Sequence, residues 1–152
     1  MAAWAADCAE RVLPLFEAAY PEDDRPRSAI ETGRTWVRTG VFRMAEIRGA
    51  SLAAHAAARD AEEGSAAQYA ARAAGQAVAT AHVPQHAYGA AYYALKAVAA
   101  ANPANVAVNA ALEREWQAER LPEGLREEIM GRIVVLERGG GVVVRLRKGE
   151  GF

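Results

Sequence analysis

Apolar residues recur at three- and four-residue spacing along most of the chain, which is the period of an amphipathic helix. Gly and Pro punctuation cuts this pattern into about seven pieces. Trp4, Cys8, Val12 and Leu15 or Phe16 define the first. Pro14 is expected to kink or split it, because proline lacks the N–H and crowds the preceding turn. Asp24 is the expected N-cap of a second helix, with Pro26 in its first turn and Gly40 at its end. A third runs from about Phe42 to Glu62, with Met44, Ile47, Ala50, Ala54 and Ala58 at helical spacing. Ser65 caps a fourth that extends through His82, and Pro84 opens a fifth that closes at Asn102-Pro103. A sixth spans about Ala104 to Arg120. Leu121-Pro122-Glu123 opens the seventh, where Leu125, Ile129, Ile133 and Leu136 at spacings of 4, 4 and 3 predict helix over 122–137.

The tail breaks the pattern. Gly139-Gly140-Gly141 ends the helix, and the residues from Val142 to Lys148 alternate like a strand. A lone strand is an unpaired edge. The tail is therefore expected to pair with 133–137, which requires the seventh helix to end near Arg132, or with the tail of a second copy in a two-fold dimer. The expected organisation is one helical domain over 1–138 with an extension over 139–152.

Composition strengthens the helical reading. Of 152 residues, 38 are alanine, the best helix former, and β-branched residues are scarce until the last twenty positions. The fold class is all-α: a single-domain bundle of about six or seven helices, Ala-rich at its centre, with a short β-like tail. Charge then says which helices are central. From Gly64 to Leu112 the only charged residues are Arg72 and Lys96. A solvent-facing helix carries a charged stripe, so the fourth and fifth helices are expected to be buried on most sides. A net charge of −1 argues against a nucleic-acid partner, which would need a basic face. The single Cys8 excludes an internal disulfide and fits a reducing, cytoplasmic setting. The N-terminus has no basic stretch ahead of an apolar one, so neither a secretory leader nor a membrane partner is expected.

Candidate chemistry is thin. His55, His82 and His86 stand in apolar surroundings. His82 and His86 have the spacing of a two-histidine metal face, but Pro84 between them is expected to set them on opposite sides of a helix start. A zinc site needs three or four ligands, and no acidic residue or cysteine is near in sequence, so no metal or other cofactor is expected. The acidic residues Asp7, Glu10, Glu17, Asp23 and Asp24 read as a solvated face plus a cap, and ion pairs with Arg25, Arg27 and Arg34 are expected. No serine has the Gly-x-Ser-x-Gly setting of a nucleophile elbow. Cys8 reads as an inert buried thiol, and Tyr69, Tyr88, Tyr92 and Tyr93 as core packing.

Several stretches taken together resemble one family. They are Trp4 to Leu13, Asp23 to Glu31, Ala54 to Arg59, and Ala70 to Tyr93, which includes His82-Val-Pro84-Gln-His86. In this order they are similar to the immunity-five-like group of immunity proteins from bacterial polymorphic toxin systems. The likeness runs from Met1 to about Arg126, and the tail after Arg138 departs from it. It implies a small all-α cytoplasmic protein and points to Asp7, Arg25, Arg27, Arg34, His55, Arg59, Arg72, His82 and His86. A buried polar network locking Ala-rich helices explains most of these, and a ligand pocket is the competing account. The resulting expectation is a non-enzymatic protein that binds and neutralises a toxin, docking through the acidic loop Glu22-Asp23-Asp24. Two alternatives remain: a small helical enzyme or metal-binding protein using His55, His82 and His86 with Asp7, or a structural protein, with a homodimer as a further expectation.

Overall fold

The computed structural model describes residues 1–147. Seven α-helices follow one another: α1 (Ala2–Ala19), α2 (Arg25–Thr39), α3 (Met44–Asp60), α4 (Ala66–Ala79), α5 (His86–Ala101), α6 (Val106–Glu119) and α7 (Glu123–Arg132). A short 3-10 turn, Pro103–Asn105, precedes α6. Two antiparallel strands, β1 (Ile133–Arg138) and β2 (Gly141–Leu146), close the described chain.

The charge-poor helices are the centre, as expected. α4 packs against α1, α2, α3 and α5, and α5 against α1, α4, α6 and β2. Alanine makes this possible: nine residues of α4 are buried and all are Ala, Gly or Val, which lets backbones approach closely. Bulk comes from α1, whose Trp4, Val12, Leu13 and Phe16 fill the core.

Several boundaries differ from those expected. Pro14 does not split α1; it lies exposed within one continuous helix, where water can reach the carbonyl that its missing N–H leaves free. Asp24 occupies the N-cap of α2 without a side-chain cap bond. Asp23 takes that role: its Oδ1 accepts the Arg25 N–H at 3.1 Å. Ser65 does cap α4, accepting from Gln68 N–H at 3.1 Å. α3 is shorter than expected at both ends, and α4 stops at Ala79 because Thr80–Pro84 turns the chain.

The helix expected over 122–137 ends at Arg132. The β-branched run Ile133-Val134-Val135 extends and pairs with Val144–Leu146, the intramolecular form of the two pairings considered. Gly139 and Gly140, both at positive φ, make the two-residue turn that this hairpin needs. The Ile133 side chain still reaches the core, which is why its spacing mimicked a helix. Lys148, counted in the expected strand, lies outside the described residues.

Candidate functional site

The polar residues singled out in the sequence separate into two groups. The first lies along α1 and α2. Arg34 bridges Asp7 at 2.7 Å and Glu10 at 2.5 Å, Arg27 pairs with Glu17 at 2.6 Å, and Arg25 joins Asp23 at 2.6 Å to Asp60 of α3 at 2.8 Å. These are partly exposed ion pairs rather than the buried network expected, so solvent screening leaves each contributing little. Within the expected docking loop Asp23 is tied to Arg25, while Glu22 and Asp24 are exposed. Asp7, committed to Arg34, does not join the histidines.

The second group faces outward from α3, α4 and α5. His55 lies across α4 at Gly75: a Cβ there would sit 2.8 Å from His55 Nε2, so only glycine leaves room for the ring. Ser51, one turn before His55, donates to Gly75 O at 3.0 Å and fixes the same crossing. Gln76 in turn lies over Gly89 of α5, and its Oε1 accepts from His86 Nδ1 at 2.7 Å. His82 and His86, expected on opposite sides of a helix start, stand with rings 5.5 Å apart, because the turn before α5 folds His82 back onto its first residue. Arg72, one turn before Gln76, sits 5.9 Å from the Tyr93 ring, which stacks on Tyr69. Lys96 stands over Tyr69 at 4.4 Å. Thus the only two charges between Gly64 and Leu112 come to one aromatic face. Tyr69 and Tyr93 pack against the core, as expected of them, while their half-buried rings also form a platform on this face.

This face is electropositive. Burial pushes the pKa of His55 below its ordinary 6.5, and Arg72, Arg59 and His86 push it further. Burial lowers His86 as well, aided by His82. Below pH 6.5 the unfolded chain therefore takes up protons that the folded chain resists, and stability declines as pH falls from there through the lowered folded values. Urea unfolding between about pH 7 and about pH 5 should show this slope, and replacing both His55 and His86 with asparagine should flatten it. An unchanged slope in the double variant would contradict the assignment.

A third constellation was not anticipated. Glu113 of α6 is only 2% exposed. It accepts from Arg11 Nε of α1 at 2.7 Å and from Gln117 Nε2 at 3.0 Å. The Gln117 side chain also donates to Ala91 O of α5, and the Gln117 backbone carbonyl accepts the Trp4 indole N–H at 2.9 Å. Burial raises the Glu113 pKa against the opposing pull of Arg11 and Gln117. Here is a buried network that joins helices, and none of its members was among the residues expected to form one; Trp4 was read only as an apolar position of the first helix. Nothing in the sequence around Glu113 reveals a partner 102 positions away. Cys8, nearby, is buried with its thiol pKa held well above the ordinary value by that burial and by Glu113 and Asp7, so it is not a nucleophile at neutral pH.

Among the described residues no three His, Cys, Asp or Glu side chains gather as metal ligands, and no helix is long and apolar enough to cross a membrane. A family model described as "Imm-5 like putative immunity protein" matches residues 1–124, from α1 to the start of α7. The match takes in both polar groups and leaves out the hairpin. No curated protein and no solved structure matches the chain.

Proposed function

Because the chain belongs to the Imm-5 like family of immunity proteins, we propose that it neutralises a toxin by binding it, without catalysis. The family match over residues 1–124 carries this reading. The distribution of polar groups supports it. They stand on the outer faces of closely packed helices, where they can meet another protein surface without rearrangement. Charge borne on rigid elements speeds encounter and selects the partner, which suits an inhibitor that must reach its toxin before the target does. The expected setting is the cytoplasm of the bacterium that makes the toxin, where the reduced Cys8 is at home.

The experiment is co-expression with any toxin-domain protein found encoded beside this gene. Cells carrying both should grow, and cells carrying the toxin alone should not. Unprotected growth arrest with soluble, helical protein present would refute the reading.

A further inference from the structure

We propose that the outward face of α3, α4 and α5 docks a carboxylate-rich segment of the partner protein, with Arg72 as its anchor and His55 and His86 beside it. That the partner is a toxin rests on the reading above; the acidic chemistry of the segment rests on the face itself.

The distribution of charge partners carries the argument. On α2, Arg25, Arg27 and Arg34 are each neutralised by at least one carboxylate of the same chain. Arg59, Arg72 and Lys96 have none: among the described residues, no Asp or Glu oxygen stands within 4.0 Å of any of them. The intervening helices cannot supply one, because Gly64 to Leu112 contains no acidic residue at all. Half-buried His55 likewise makes no hydrogen bond with the described residues, its Nε2 edge resting against Gly75. An arginine beside a stacked tyrosine platform is a residue mixture that concentrates binding energy at protein interfaces. Carboxylate is what a guanidinium fork pairs with most directly on a protein.

The face is also held in place before any partner arrives. His55 is seated on the α4 backbone at Gly75, and His86 is fixed by its bond to Gln76, which is itself seated on Gly89. Groups so placed lose little further freedom on binding, which raises affinity. A guanidinium fork with no carboxylate partner among the described residues is open to an acceptor on another molecule.

The test uses the full chain and poly-L-glutamate as probe. The histidine ring signals are followed by long-range 1H–15N NMR at low salt. Poly-L-glutamate should shift the His55 and His86 signals saturably, and poly-L-lysine should not. Arg72→Glu should weaken this binding at least tenfold, with Arg72→Gln as the milder variant if the first fails to fold. Arg38→Glu, the same charge change on exposed α2, should leave it within about twofold, because only screened long-range charge is altered. Three results would overturn the proposal: no shift of either histidine, equal binding by Arg72→Glu, or tighter binding of a DNA or RNA oligonucleotide at the same histidines. Because the assay contains no toxin, failed protection in cells with these shifts intact would remove the toxin reading and leave the face. Protection with no shifts would do the reverse.

Discussion

Replacing Phe16 by alanine is expected to destabilise the fold by about 3–5 kcal/mol, the range for truncating a buried phenylalanine. Phe16 is among the largest of the fully buried side chains, and its neighbours in the core are mainly alanines that cannot extend into the space it leaves. It also packs against Tyr20, ring centroids 5.2 Å apart, whose hydroxyl accepts the Glu62 N–H and so ties α1 to the end of α3. A domain of this size is stable by roughly 5–15 kcal/mol, so this one truncation removes a large share. Thermal unfolding should move down by on the order of 10 °C. A loss under about 1 kcal/mol would mean that the alanine helices collapse into the cavity, contrary to the tight backbone packing described.

Gly75→Ala should change sign with its background. Glycine inside a helix costs about 0.8–1 kcal/mol relative to alanine, so on propensity alone the change stabilises. Here the new methyl meets the His55 ring at 2.8–2.9 Å, against a buried α4 backbone that cannot retreat. Overpacking of this kind costs about 1–3 kcal/mol, so the substitution should destabilise the natural protein. In a His55→Ala background the clash is gone and the propensity gain should return, making Gly75→Ala stabilising by up to about 1 kcal/mol. Denaturant unfolding of the four proteins reads this directly. Additive effects would show that His55 is not seated on Gly75.

The two substitutions mark what the sequence disclosed and what it hid. The seven helices were legible because Gly, Pro and Ser65 punctuate long alanine-rich periods, and the central position of α4 and α5 because charge is nearly absent there. The hairpin was half legible. Its turn glycines were plain, but Ile133 serves the core at a position where helix and strand make the same demand. The N-cap position of α2 was legible at Asp24, but the side-chain bond to the helix start comes from Asp23, since the two offer the same chemistry and only the backbone decides between them. The polar residues of the candidate face were named from the sequence, but their convergence was not. His82 and His86 meet through a turn whose direction no local pattern sets, and His55 arrives from another helix. Glu113 was missed outright, because a carboxylate's burial is decided by Arg11, Gln117 and the packing of α1 on α5, all long-range facts.

The central claim is neutralisation by binding, and stoichiometry tests it most directly. Purified toxin at fixed concentration, well above its Kd for this protein, is titrated with the protein while toxin activity is followed. Binding without catalysis predicts a linear loss of activity that ends at one equivalent, with a complex of matching mass in light scattering. Full inactivation by a small fraction of an equivalent, growing with time, would show that the protein acts as an enzyme on its toxin and would contradict the account.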